Sequence, residues 1–347
     1  MSIKEASKKN SFGIAIVLAV VGVSFLCFAF TITKNDSKSN GLRGGQGGQG
    51  EQGDPFYTPK VVGCVKTLID QNLLDWDLPS YGVAIEEDVV YGKGAVKDGN
   101  EVDLKLDIYR PSTNDNLKHP LMIHIHGGSF KGGDKGGRST GTESSAGWAK
   151  RGFIVASINY RLAGDNPVLS AKSNANALTN YITEQSSGND PIMAIVASLE
   201  DTLAAYDYMK SMSYVDAEVV VLNGYSAGAI TSLWTTYGID NFDYDRPPIK
   251  AVISHWGSLV EEEEEVKKLI PTVDVPTFLV HATGDSVVSY SGTQLLANRF
   301  ETLGMPYVLH CRDSGDHSIA IDSVEHQNGV TILEAEQYWL RNILQDA

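Results

Sequence analysis

Cysteine is scarce in this chain, with three residues among 347. Cys27 lies in a hydrophobic stretch near the N-terminus, which leaves Cys64 and Cys311 for the remainder. Neither falls in a C-x-x-C or metal-type spacing, so a redox motif and a cysteine-built metal site are both excluded. The two can still pair with each other if the region is exported, because extracytoplasmic compartments permit disulfides. Positive charge is also short: 28 Lys and Arg face 43 Asp and Glu, for a formal net charge of −15. A phosphate backbone needs a basic surface, so no nucleic-acid partner is expected. Part of the acidic excess is local, in the unbroken run Glu261 to Glu265, which reads as a solvated helix face.

Long apolar runs are limited to one. Phe12 to Ile32 carries no charge and follows Lys4, Lys8 and Lys9. A helix of about 20 apolar residues spans a bilayer, whereas a cleavable signal usually has a core of about 7–15. The length favours an uncleaved anchor over a removed signal, although Lys34, Lys38 and Arg43 nearly balance the flanking charge. The expectation is a cytoplasmic stub (1–11), a membrane segment (12–32) and an extracytoplasmic domain, or a secreted one if the segment is cleaved. Asn35-Asp36-Ser37 is an N-glycosylation sequon, with meaning in a eukaryotic secretory setting. From Gly41 to Pro55 glycine recurs at every third position. That is collagen-like spacing, but five triplets with one proline suit a flexible linker (33–55) better than a trimeric stalk.

What remains, 56–347, has the composition of one folded unit; over the whole chain 42% of residues are hydrophobic and 20% charged. Short β-rich runs alternate with helical segments, which predicts a mainly parallel sheet with helices on both faces. Leu121–Ile125, Phe153–Ile158, Val219–Leu222, Ala251–Ile253, Phe278–Val280 and Tyr307–Leu309 are continuously apolar, as central strands buried on both sides should be. Val102–Tyr109 alternates, as a strand near a sheet edge should. Helices are expected over Ala194–Lys210 and Ala229–Tyr237. Gly164–Asp190 is polar and reads as an irregular excursion over the sheet.

The sharpest chemical signal is Gly224-Tyr225-Ser226-Ala227-Gly228, placed between the apolar run VVVL and the helix-like AITSLWTT. A strand-to-helix turn this tight needs small flanking residues and lifts the serine hydroxyl above the sheet. Second is His126-Gly127-Gly128-Ser129-Phe130, directly after LMIHI. Glycines there let backbone N–H groups approach a cavity, as an oxyanion hole requires, with the N–H of Ala227 as partner. His126 precedes the loop and is read as fixing its shape. Asp285 follows a buried strand and is the candidate acid; Asp274, its rival, precedes that strand and belongs at the other end of the sheet. Of eight histidines, His317 sits in the loop RDSGDHS after the last strand and is the candidate base, with His326 as fallback.

Ser226, Asp285 and His317 occur in the order Ser…Asp…His. With HGGSF, INYRL (Ile158–Leu162), GYSAG, HATGD and GDH in sequence, the chain from about Val90 to Leu344 resembles the esterase and lipase branch of the α/β-hydrolase superfamily. The resemblance implies an α/β-hydrolase fold, a small-molecule ester substrate and a Ser226–His317–Asp285 triad. It also implies an oxyanion hole among Gly127, Gly128, Ser129 and Ala227, with no metal or diffusible cofactor. The chain departs from the pattern in having HGGS rather than HGGG, in Tyr225 before the serine, and in lacking a large cap before Asp285. A serine peptidase of the same fold and a catalytically silent binding protein stay open as alternatives. Trp256, just past a strand, is read as lining an acyl pocket or as packing.

Overall fold

Apolar side chains at every position, rather than every second one, should mark strands covered on both faces, and the structure puts them at the centre of a nine-stranded sheet. The computed structural model describes residues 65–66 and 81–345, except 113–116, 137–144, 176, 187, 189, 324 and 328. The hydrophobic run, the glycine triplets, the sequon and Cys64 lie outside the described residues. Among the described residues no helix is long and apolar enough to cross a membrane.

The strands are β1 (Val65–Lys66), β2 (Val83–Val96), β3 (Asn100–Pro111), β4 (His119–Ile125), β5 (Ile154–Ile158), β6 (Val215–Tyr225), β7 (Ile249–His255), β8 (Thr277–Ala282) and β9 (Tyr307–Arg312). Their order across the sheet is β1-β9-β8-β7-β6-β4-β5-β3-β2. β5 through β9 and β4 pair in parallel. The two outer pairs, β3 with β5 and β2 with β3, are antiparallel, as is β1 on β9. The alternating run 102–109 thus lies one strand in from an edge, with the long β2 outside it. A small hairpin, β10 (Glu325–Gln327) with β11 (Val330–Thr331), stands apart.

Helices are α1 (Ser145–Ala149), α2 (Ala171–Ala175), α3 (Ala177–Gln185), α4 (Ile192–Met209), α5 (Ala227–Leu233), α6 (Glu263–Leu269), α7 (Tyr290–Leu303) and α8 (Ile332–Gln345). Period-two side-chain alternation divides the core. On one face Leu121, Ile123, Leu222, Val252 and Leu279 pack under Leu199 of α4, Leu233 of α5 and Phe300 of α7. On the other, Met122, Val221, Ile253 and Phe278 meet Trp148 of α1 and Trp339 of α8.

The segment 164–190, read from its polarity as irregular, is instead held by α2 and α3. Its structure comes from a buried charge cluster that polarity alone conceals. Arg161, in the INYRL motif, donates from Nη2 to Asp201 (2.7 Å) and Glu200 (2.8 Å) and from Nη1 to the carbonyls of Ala95 and Val168. It is 4% exposed. One guanidinium thereby ties β2, the excursion and α4, using the planar fork that lysine lacks. The acidic run is also not uniformly solvated: Glu265 accepts from the Tyr181 hydroxyl and pairs with Lys268, joining α6 to α3.

Candidate active site

Four loops, after β4, β6, β8 and β9, meet at the carboxyl ends of the parallel strands, where open α/β sheets bind their ligands. After β6 the chain turns at Ser226 with φ 52° and ψ −117°, a left-handed backbone for an L-residue, and enters α5 at Ala227. Such strain persists only where the surroundings enforce it. Here the Ser226 N–H donates to His255 O (2.9 Å), and its carbonyl accepts from Ile230 N–H (3.0 Å). A Cβ on Gly228 would overlap Ile125 O, and one on Gly127 would stand 2.8 Å from Tyr225 O and 3.1 Å from Ser226 Cβ. The serine turn and the HGGSF loop therefore touch through main chain, which only glycine permits.

The structure brings Ser226, His317 and Asp285 together. Ser226 Oγ lies 2.8 Å from His317 Nε2, and His317 Nδ1 lies 2.7 Å from Asp285 Oδ2. A carboxylate only accepts, so Nδ1 carries the proton and Nε2 presents its lone pair to the serine hydroxyl. Asp285 Oδ1 accepts from the N–H groups of Val287 (2.8 Å) and Val288 (3.1 Å). Burial pushes this carboxyl up, but the His317 hydrogen bond and those two N–H groups outweigh it and hold Asp285 below the usual carboxylate range. The Asp285 side chain is sealed, while that of His317 is 26% exposed, so solvent can reach the imidazole.

In the HGGSF loop, Ser129 and Phe130 both take left-handed backbones, φ 55° and 58°, a conformation that strains a residue with a Cβ and that the surrounding loop must hold. The loop closes on itself through Lys131 and Gly132 N–H donating to Gly128 O. His126 braces it: Nδ1–H donates to Gly127 O (2.7 Å) and the ring stacks on Tyr160 at 4.4 Å. Tyr160 in turn donates its hydroxyl to His126 O (2.9 Å). Burial holds the His126 imidazole below its ordinary range, so the ring stays neutral in this brace. Gly127, Gly128, Ser129 and Ala227 thus flank the serine as main-chain groups.

Above Ser226 opens a cavity of about 550 Å³. Ile182 of α3, Ile195 of α4, Ile230 of α5, Trp234 and Leu259 give it an apolar wall; Lys131, Asp190 and Glu261 border it. Glu261 is thus part of the cavity rather than of a helix face. Trp256 packs instead of lining it: buried at φ 45°, it lies against Tyr225 and His255 and edge-on to His317, 6.4 Å between centroids.

The other sequence candidates lie elsewhere. Asp274 binds Arg246, and His326 of β10 is buried against His310 of β9, Nδ1 to Nδ1 at 3.1 Å. Two groups around the site were not singled out from sequence. His281, the fifth residue of β8, places Nε2 3.2 Å from Asp285 Oδ2; its position four residues before the acid was the available signal. His255 ends β7 and bonds Glu336 of α8 (Nε2 to Oε1, 2.7 Å), stacking on Tyr225 at 4.2 Å beneath the serine turn. No local pattern joins residues 255 and 336. Among the described residues, no group of three or more His, Cys, Asp or Glu is gathered as a metal site needs.

Comparison with known proteins gives matches to two family models. One, described as BD-FAE, matches residues 106–190; the other, Phospholipase/Carboxylesterase, matches 178–329. Tuliposide A-converting enzyme b1 of Tulipa gesneriana is 29% identical over 86 residues, 24% of this chain. The chain spans only 23% of the length of that relative. Among solved structures, Thermogutta terrifontis esterase 2 phosphoramylated by tabun aligns with TM-score 0.51 at 16% identity, covering 79% of this chain and 97% of that one. The same esterase phosphorylated by paraoxon aligns with TM-score 0.50 at 17% identity, covering 77% and 93%. At such identity the structural likeness establishes the fold. The chain thus has an α/β-hydrolase fold, and two of its segments are similar to esterase-type families of that fold.

Proposed function

We propose that the chain is a serine carboxylic ester hydrolase working through Ser226, His317 and Asp285 and an acyl-enzyme intermediate. The observation that carries this reading is the continuous hydrogen-bond line from Ser226 Oγ through His317 to Asp285 Oδ2, with donor and acceptor sense fixed at each step. His317 Nε2 takes the hydroxyl proton as Oγ attacks the ester carbonyl. Asp285 holds the ring in the required tautomer and compensates the imidazolium that forms. The negative oxygen of the tetrahedral intermediate is received by N–H groups of Gly128, Ser129 and Ala227, with Gly127 shaping the approach; one such donor is worth about 3 kcal/mol. The imidazolium protonates the departing alcohol, and water, activated by the same base, releases the acid. The apolar cavity wall suits the organic part of a small ester.

The relatives lend support in kind. Thermogutta terrifontis esterase 2 has been solved phosphorylated by paraoxon, chemistry expected of a nucleophilic residue. The assembled triad disfavours the silent-binder reading. Export on an N-terminal anchor remains part of the proposal, supported by the uncharged run Phe12–Ile32.

The full chain should hydrolyse p-nitrophenyl acetate, and Ser226→Ala should abolish the turnover. Paraoxon should inactivate the enzyme and add one diethylphosphoryl group to the peptide containing Ser226. Equal turnover by wild type and Ser226→Ala would overturn the proposal.

A further inference from the structure

The Asp285 side chain has no exposed surface, against 26% for that of His317, and the residues that fix its carboxylate decide where the base points. Oδ1 is held by two backbone N–H groups, Val287 and Val288. Oδ2 faces two imidazoles. One is His317; the other is His281, whose ring is fully buried and whose Nε2 is 3.2 Å away. His281 Nε2 also lies 3.0 Å from Val288 O, and Nδ1 lies 2.7 Å from Thr293 Oγ1 on α7. A carbonyl oxygen cannot donate, so Nε2 carries the proton and points it between Val288 O and Asp285 Oδ2. Burial holds this imidazole below its ordinary range, and Nδ1 rests against the Thr293 hydroxyl, whose own hydrogen goes to Gly257 O (2.7 Å). Tyr290, at the first turn of α7, closes the remaining side edge-on at 5.8 Å.

The ring therefore spans two structural units. Its Nδ1 is anchored to α7, while its Nε2–H reaches the loop that carries the acid. The same donor meets Val288 O, whose own N–H binds the opposite carboxylate oxygen. The carboxylate is thereby held against rotation at both oxygens, leaving one lone pair of Oδ2 directed at His317.

We infer that His281 is a positioning residue for the acid of the triad, its buried Nε2–H and the Thr293 anchor setting the Asp285 carboxylate that orients His317. It acts through Asp285 and never meets the ester. The inference rests on the ester-hydrolase reading. A carboxylate free to turn would present His317 in a spread of orientations, and small misplacements of a catalytic group commonly cost on the order of 10²-fold. Substrate binding in the cavity, which neither residue lines, should be untouched.

The experiment compares full-length wild type with His281→Leu, His281→Gln and Thr293→Val, measuring kcat, KM and thermal midpoint with p-nitrophenyl acetate. Leucine fills volume without a donor and should lower kcat about 10- to 100-fold with KM within about twofold. Glutamine offers an N–H at similar reach and should recover most of that loss. Thr293→Val, nearly isosteric, should lower kcat several-fold, and it carries the test if the leucine variant does not fold. Wild-type kcat in Thr293→Val or His281→Leu, or equal losses in the leucine and glutamine variants at matched thermal midpoints, would overturn the inference while leaving the hydrolase reading standing. A wild-type chain with no esterase activity would sink that reading, and this inference with it.

Discussion

Replacing Asp285 by asparagine separates a triad from three residues that merely touch. The two shapes are the same, so the fold has little reason to change, but the hydrogen-bond sense does. Oδ1 receives the N–H groups of Val287 and Val288 at 2.8 and 3.1 Å. In the variant that position must be the amide oxygen, because an NH₂ there would oppose two donors. The amide nitrogen is then forced to the Oδ2 position, 2.7 Å from His317 Nδ1. Since it donates, His317 must accept at Nδ1 and carry its proton on Nε2, facing Ser226 Oγ at 2.8 Å. A protonated Nε2 cannot take the serine's proton. The wrong tautomer typically costs about 10⁴-fold in kcat, equivalent to about 5.4 kcal/mol. The assay is kcat with p-nitrophenyl acetate beside a thermal melt. A loss below about tenfold with an unchanged melt would refute the donor and acceptor assignment, and with it the proposed path of the proton.

Two further outcomes concern stability. The paired imidazoles of β9 and β10, Nδ1 to Nδ1 at 3.1 Å, should make the protein acid-labile: burial, then the facing His326 and Arg312, push His310 down to about 3, and burial pushes His326 down to about 4. Both stay neutral in the native state below the ordinary imidazole value of about 6.5, where the unfolded chain takes up protons, so stability is full above that value and falls as pH drops toward 4. At pH 5.5 the two together should cost about 3 kcal/mol relative to neutral pH; His326→Gln should flatten the dependence of the thermal midpoint, and an unchanged slope would count against the pair. Asp201→Ala strands the Arg161 guanidinium, 4% exposed at its side chain, without its bidentate partner. It should cost about 3–5 kcal/mol, read as a fall in denaturation midpoint; a loss under about 1 kcal/mol would show that Glu200 alone suffices.

Much of this site could be read from the chain because its chemistry is local to strand ends. Ser226, the HGGSF loop and Asp285 each follow an apolar run that marks a parallel strand, and the topology gathers such ends. His317 stands apart from the seven other histidines by its place in the loop after the last strand, and the order Ser…Asp…His agrees with it. What escaped notice depends on contacts between distant segments. His281 sits within an apolar strand run, and nothing in VHATGD says on which side the ring falls. Glu336 meets His255 only because α8 closes on β7. The excursion 164–190 looked irregular since its order derives from Arg161, Glu200 and Asp201 rather than from apolar periodicity. Glu261 belongs to an acidic run whose members part ways: Glu263 and Glu264 pair with Lys267 on the surface, Glu265 binds Tyr181, and Glu261 borders the cavity.

The contact between the serine turn and the HGGSF loop has a consequence for how such an enzyme changes over time. Because Gly127 and Gly228 let two stretches of polypeptide press directly on one another, the gap between Ser226 and the loop amides is set by main-chain contact, with His126 and Tyr160 bracing the loop from behind. The side chains that wall the cavity, such as Ile182, Ile195 and Leu259, come from other helices and loops. Preference for one ester over another can therefore drift by exchange of those wall residues, while the reactive spacing is carried forward intact, like a gauge machined into the frame and not into its fittings.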